Sequence, residues 1–528
     1  MTPRRALVVF VALGLLHLWP LSVAPWRLSL NYNADAEYNA WAIAWITHTL
    51  WADPAGLFDA NIFWPERGTL AYSHPLLPPS LAAAPILALG GSPVLAFNFS
   101  LFAGLVLTAW CTWLLVRDWT GSGTAALVSG ALAAFNVHLL TRLPHLTAAH
   151  AWGLPLTLYL ADRVMRGGGR RDRMLLAIVI GLTAATSFYW LALAWIILGV
   201  VVVARGLRPR RALVTGFTGL GGLALVAPLL VPYVRLAADG ARRPVEMVVD
   251  FSATPAGYLA STSVLHSSWS AAFYRDDVNL FFAGFTAALL AAAGGVAAWR
   301  TARTRVVVLL LVAGAGIWLS LGPATAAYRF VYEWFLPLQG LRAAARFGFL
   351  YLLAVAVAAG FGVAWLERRA RWPRAAFAAP ILALAAVTAE AWQGPVRTEP
   401  FDGVPPVYAL LADAPQPVRL VEVPFYPTDA VHFNGTYVLN STAHWQPLMN
   451  GTSGITPLSY RRRAEAFWFF PRDWAIQAMR DEGATHVMVH FEDLDDRDRR
   501  DFAETLARRR DLWLVATDAY GHQLYEVR

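Results

Sequence analysis

Apolar stretches of roughly 17–22 residues recur along most of the chain, each about long enough to cross a bilayer as a helix. They fall near 6–24, 93–116, 122–140, 146–164, 174–189, 190–205, 212–234, 279–298, 305–321, 347–366 and 374–391. Short polar turns separate most of them, and the pattern predicts a mainly α-helical polytopic membrane protein. The Pro-rich piece from Leu76 to Leu89 is shorter and reads as a re-entrant or half-span segment. Three longer polar segments remain, at 25–78, 235–278 and 322–346. Past Trp392 the pattern changes. Pro395, Pro400, Pro405 and Pro406 mark a linker. VRLVEVPFY, ATHVMVHF, DLWLVATD and HQLYEV then read as strands, with helices at DWAIQAMRDEG and FAETLARRR and a turn at Tyr520-Gly521. The division predicted is a membrane domain over 1–392, with 25–78 as its first outer loop, and a small extracytoplasmic α/β domain over 393–528.

Within that first loop, Tyr38, Trp41, Trp45 and His48 follow helical spacing. Asp35 is placed as the N-cap, and the Trp-rich face suits a membrane surface. The segment reads as a surface helix that presents Asp35 and Glu37 to water.

Composition strengthens the membrane reading. The chain has 528 residues, 57% hydrophobic and 15% charged, with a mean hydropathy of +0.45. Its net charge is +8, and all 43 basic residues are Arg. The Arg clusters lie between apolar runs, which fits orientation in a membrane better than nucleic-acid binding. With about eleven spans and an inner N-terminus, the basic turns share the cytoplasmic side. These are Arg166 to Arg173, Arg205 to Arg211, Arg300 to Arg305 and Arg368 to Arg374. The tail is then outside. Arg4 and Arg5 precede the first run, and no A-x-A cleavage site follows before Pro25, so this run is expected to be a retained anchor. The single cysteine, Cys111, excludes an intramolecular disulfide and a multi-Cys metal site.

Candidate chemistry gathers at the predicted outer rim. Asp35 and Glu37 could bind a divalent ion or take a proton from a hydroxyl; an N-cap plus a solvated acid is the plainer alternative. Arg342 and Arg346 are four apart, on one face if helical, and suit a phosphate or diphosphate; snorkelling to headgroups needs no substrate. Asn61, His74, Arg142, His145 and His150 are polar residues near membrane edges, for which structural hydrogen bonding is the simpler role. In the stretch from His444 to Arg463, Trp445 and Tyr460 could stack on a sugar and Asn450 could bond it, or the stretch is a packed linker. Asn434, Asn440 and Asn450 each begin an N-x-T sequon. Zinc-protease, phosphate-loop and GxSxG signatures are missing from the sequence.

The order of features resembles the GT-C superfamily of membrane glycosyltransferases. DANIFWPERGTLAYSHPLL, LQGLRAAARF, VEVPFYP and HWQPLMNGTSG are similar to a bacterial group of YfhO-like or uncharacterised GT-C-type proteins. The resemblance implies a glycosyltransferase of the bacterial inner membrane. It would move a sugar from a polyprenyl-phosphate donor to a lipid, glycan or protein acceptor on the outer face. It implies Asp35 as general base or metal ligand, Glu37 as its partner, and Arg342 and Arg346 as donor-phosphate ligands. Asn61, His74, His145 and Trp445 are the expected substrate-binding residues, with Mg2+ or Mn2+ as the candidate cofactor at Asp35 and Glu37. Two departures bear on this. His74 stands where relatives carry an acid after AYS, which favours a single base, and Ala343 to Ala345 replace a V-P-A type sequence. The rival classes are a lipid or glycolipid flippase and a non-catalytic assembly factor. A transporter would place ionisable groups or broken helices at mid-membrane, whereas acids are scarce in the apolar runs.

Overall fold

The computed structural model describes residues 1–528 except 239–243, 335, 371 and 415–416. Parts of the predicted outer segments 235–278 and 322–346, and Arg371 of the last basic turn, therefore lie outside the described residues. An α-helix occupies every stretch read as a span. Among the described residues, three of them, Pro93–Thr120, Arg303–Ser320 and Ala344–Arg369, are continuous, long and apolar enough to cross a membrane. Several others, including Gly123–Ala134, Phe188–Ala204 and Phe285–Ala298, are shorter apolar helices. The stretch at 212–234 is broken: Pro209–Leu225 and Ala227–Ala238 meet at 86°. Pro228 has no N–H to offer the carbonyl four residues back, so the helical hydrogen-bond ladder loses a rung at this break.

The chain divides into two compact units. The first comprises Met1–Ala24, Pro75–Pro79 and Ser100–Arg397. Its core joins Ala125, Val128 and Leu132 to Ala287, Leu290, Ala356, Ala359 and Val363, with Ala383 and Val387 from the last helix. Small residues dominate, as expected where lipid removes the hydrophobic drive and close backbone approach supplies the attraction. A Cβ at Gly294 would strike the backbone of Ala358 and Gly362, so the helices Phe285–Ala298 and Gly348–Arg369 touch only because both positions are glycine.

The second unit comprises Pro25–His74, Ser80–Phe99 and Thr398–Arg528. Its segments are tied by β1 (Leu28–Ser29) pairing antiparallel with β2 (Glu399–Pro400). A four-stranded sheet follows, from β3 (Leu420–Val423), β4 (His486–Val489), β5 (Leu512–Thr517) and β6 (Gln523–Val527), in the order β3-β4-β6-β5. β3 and β4 are parallel, and their apolar runs are buried nearly throughout. β6 pairs antiparallel with β4 and β5. The β3 edge is extended by the backbone around Leu448, which accepts from Leu420 N at Pro447 O (2.9 Å) and donates from Met449 N to Leu420 O (2.8 Å). The first loop continues the sheet from there. Phe63 N donates to Asn450 O (2.9 Å), Trp64 N to Leu448 O (3.0 Å), and Leu448 N to Asn61 O (2.7 Å). Helix Asp473–Asp481 buries Ala475, Ile476 and Met479 along one face.

Candidate functional site

The first-loop helix runs from Ala34 to Ala52, and its cap is Asn33, whose side chain accepts from Asp35 N at 2.9 Å. Asp35 is thus the second helical residue, not the N-cap expected of it. Both types cap well, and Asn33 has the extended backbone a cap requires (φ −133°, ψ 121°). Asp35 is exposed, whereas Glu37 is only 7% exposed. Residues two apart on a helix point to different sides. Glu37 accepts a hydrogen bond from the Thr436 hydroxyl at 2.7 Å, and a Cβ at Gly435 would collide with its carboxylate. Burial pushes the Glu37 carboxyl up to about 7, despite the Thr436 bond that lowers it. As a chelating pair for Mg2+ or Mn2+, Asp35 and Glu37 do not fit, because one faces water and the other faces Gly435–Thr436.

Behind them the aromatic face is fixed by hydrogen bonds. Trp41 Nε1 donates to Asn61 Oδ1 (3.2 Å), and Asn61 Nδ2 donates to Ser441 Oγ (3.1 Å) and Gln446 O (3.2 Å). The side-chain oxygen and nitrogen of Asn61 are thereby engaged within the unit, a positioning role and not the substrate contact expected. Trp45 Nε1 donates to Leu57 O (2.9 Å). Trp445 is half-buried, and the exposed His48 ring stacks on it at 4.6 Å. His74 is half-buried, just past the 3-10 turn Thr69–Tyr72. Asn450 is fully buried: its Oδ1 accepts from Glu422 N (2.8 Å) and its Nδ2 donates to Glu422 O (3.0 Å). Tyr460 is buried too, donating to Tyr426 O (2.6 Å) and stacked on Phe425. Neither can meet a sugar in this arrangement. Asn434, Asn440 and Asn450 are all buried, so the three sequons are not surface acceptors in the folded chain.

Arg342 and Arg346 belong to the first unit. They do not share a helical face. Leu341 to Ala343 are irregular, a 3-10 turn covers Ala344–Phe347, and the α-helix begins at Gly348. Arg342 is exposed and lies over the Phe251 ring at 5.0 Å. Arg346 is half-buried and lies over the Tyr189 ring at 4.3 Å. Tyr189 was not singled out in the sequence, yet its hydroxyl accepts from Ala343 N at 2.8 Å and so fixes the Arg-bearing turn. His145 lies 3.4 Å from Arg142, nitrogen to nitrogen.

The same unit contains an acid that the apolar pattern hid. Asp162, fully buried in helix Gly153–Met165, accepts from Arg205 Nε (3.0 Å) and Trp119 Nε1 (3.2 Å) and pairs with Arg166 Nε (3.1 Å). Arg305 donates to Trp119 O at 2.8 Å. Two of the basic turns therefore meet on one carboxylate, and a third reaches the Trp119 that also bonds it. Its partners fill it, so it offers no open site for a transported ion.

No protein-family model matches this sequence, and no curated protein does. Solved structures do. The arabinofuranosyltransferase AftD from Mycobacteria superposes over 99% of this chain with a TM-score of 0.65 at 19% identity. This chain spans 40% of that protein's length. The archaeal oligosaccharyltransferase AglB from Archaeoglobus fulgidus, in complex with an inhibitory peptide and a dolichol-phosphate, matches 93% of this chain at a TM-score of 0.51 and 15% identity, with 69% of its own length covered. The apo form of the Archaeoglobus fulgidus enzyme matches at 0.53 and 14% identity, over 93% of this chain and 70% of that one. The fold of this chain is therefore similar to that of these glycosyltransferases.

Proposed function

We propose that this chain is an integral-membrane glycosyltransferase of the bacterial inner membrane. It takes a sugar from a polyprenyl-phosphate donor at the outer face and transfers it to a lipid, glycan or protein acceptor. The observation that carries the reading is the fold itself: likeness to an arabinofuranosyltransferase extends over 99% of the chain. The dolichol-phosphate bound to the similar oligosaccharyltransferase supports a lipid-phosphate donor.

Asp35 is the general base. It is exposed at the start of a helix whose aromatic face is fixed by Trp41 and Trp45. It deprotonates the acceptor hydroxyl as the oxygen attacks the anomeric carbon, and the bond to the donor phosphate breaks with inversion. Arg342 and Arg346 stabilise the departing phosphate. The phosphate leaves as a stable anion, so a second catalytic acid is not required. Glu37 is a positioning residue that holds the helix start against Gly435–Thr436. No step passes through a metal.

The test is mass analysis of lipids and surface glycans in cells carrying the wild-type chain, Asp35→Ala or no copy. Loss of the same sugar increment in the last two, with the Asp35→Ala protein inserted at wild-type level, is the expected outcome. Wild-type glycans in the Asp35→Ala cells reject the base. Unchanged glycans with mislocalised lipid in the deletion would favour a flippase instead.

A further inference from the structure

A second cluster of ionisable side chains lies in the tail, where β4 and the β5–β6 hairpin end. It draws on three places in the sequence. His490 follows β4 directly, Glu492 lies in the next turn, and His522 immediately precedes β6. Among the described residues these three form a group whose donor atoms all lie within 4.8 Å of one another.

We propose that His490, Glu492 and His522 form a binding site for a late first-row divalent cation, Zn2+ foremost, which clamps the β5–β6 hairpin to the end of β4.

The hydrogen bonding behind the cluster is the reason. His490 turns Nδ1 toward Glu492 Oε1 (3.3 Å) and Nε2 toward Glu422 Oε2 (2.6 Å). His522 turns Nε2 toward the same Glu492 Oε1 (2.5 Å) and Nδ1 toward Asp518 Oδ2 (2.6 Å). Each imidazole thus points one nitrogen at a common oxygen and rests the other on its own carboxylate. That outer carboxylate is the usual support of a metal-bound histidine, since it fixes the tautomer and the ring direction. An ionic cluster alone has no need for both rings to share one oxygen. Glu422 is fully buried, its Oε2 also accepts from Tyr408 (3.0 Å), and its Oε1 has no hydrogen-bond partner. Tyr437 stacks on His490 at 4.4 Å and keeps that ring from turning.

Two imidazoles and one carboxylate are a donor set suited to zinc or a neighbouring transition ion, and poorly suited to Ca2+ or Mg2+. Tetrahedral bonds of about 2.1 Å separate donors by about 3.4 Å. The His490–Glu492 spacing already meets this. The His522–Glu492 spacing must open by somewhat under 1 Å, and the Glu492 side chain, 44% exposed, is free to move outward. The same exposure leaves the fourth position to water. Closing the loop between β4 and the hairpin makes the expected role structural.

The full-length protein in detergent, stripped with a chelator, should then retain one tightly held equivalent of Zn2+ after equilibrium dialysis against Zn2+ alone. Glu492→Gln and His522→Ala should each lose that equivalent, and Asp518→Asn should weaken it about 10–100-fold. His432→Ala, an exposed histidine outside the cluster, should keep it. Retention of the equivalent in Glu492→Gln, a surface change that leaves the core intact, would overturn the proposal. So would failure of the wild-type chain to hold Zn2+ more tightly than Glu492→Gln does.

Discussion

The start of helix Ala34–Ala52 and the basic turns around Asp162 each bury a carboxylate, and they treat it in opposite ways. Asp162 is surrounded by Arg166, Arg205 and the Trp119 indole, so its charge is answered inside the protein. Glu37 has one hydroxyl from Thr436, and burial pushes its carboxyl up to about 7. The first arrangement ties turns of the chain together through paired charges. The second is a carboxyl that the fold prefers protonated, two residues from an acid that remains in water. Taking a charge out of water costs several kcal/mol unless a partner is supplied, and only one of the two regions supplies it.

That contrast can be broken experimentally. The largest effect should come from the exposed acid beside Glu37. Asp35→Asn should lower transfer about 10²–10⁴-fold, the usual contribution of a general base, with the melting midpoint unchanged. A shifted midpoint at full activity would make Asp35 structural. Next comes Asp162→Asn, which strands the Arg205 and Arg166 guanidiniums and should destabilise the first unit by about 3–5 kcal/mol, read as lost thermal stability in detergent. Glu37→Gln should behave differently because its amide oxygen can still accept from Thr436. In the wild-type chain the folded state holds the Glu37 proton more tightly than the unfolded state, whose carboxyl titrates near 4.5. Stability of the second unit should therefore be greatest below that pH and decline as pH rises towards about 7, by roughly 3 kcal/mol at most. Glu37→Gln should flatten that decline in a pH series of melting curves; an unchanged slope would place the titration elsewhere. The smallest change is expected from Thr436→Val, which strips the one hydroxyl from Glu37 at a cost of about 1–3 kcal/mol.

The residues also show what was legible beforehand and what was not. The strands of the tail could be read because Leu420–Val423 and His486–Val489 are short apolar runs with turn residues around them, and Tyr520-Gly521 marks the hairpin. The long apolar helices were legible for the same reason. Asp35 as cap failed by two residues, since Asn33 is an equally good cap and local sequence cannot choose between them. The spacing of Arg342 and Arg346 misled because periodicity has meaning only inside a helix, and this one begins at Gly348. The burial of Glu37 was hidden altogether: Thr436 is 399 residues away, and nothing near Glu37 announces it. For Asn450 and Tyr460 the sequence left sugar contact and a packed linker both open for a related reason, because their partners Glu422 and Tyr426 come from a different stretch of the tail.

The pairing of Leu28–Ser29 with Glu399–Pro400 also constrains how the protein is made. A ribosome adding roughly 5–20 residues each second needs about 20 to 70 seconds to travel from one partner strand to the other. Throughout that interval the newborn first loop must wait, with Glu37 lacking Thr436 and Trp45 lacking Trp445, for a tail that has yet to be translated.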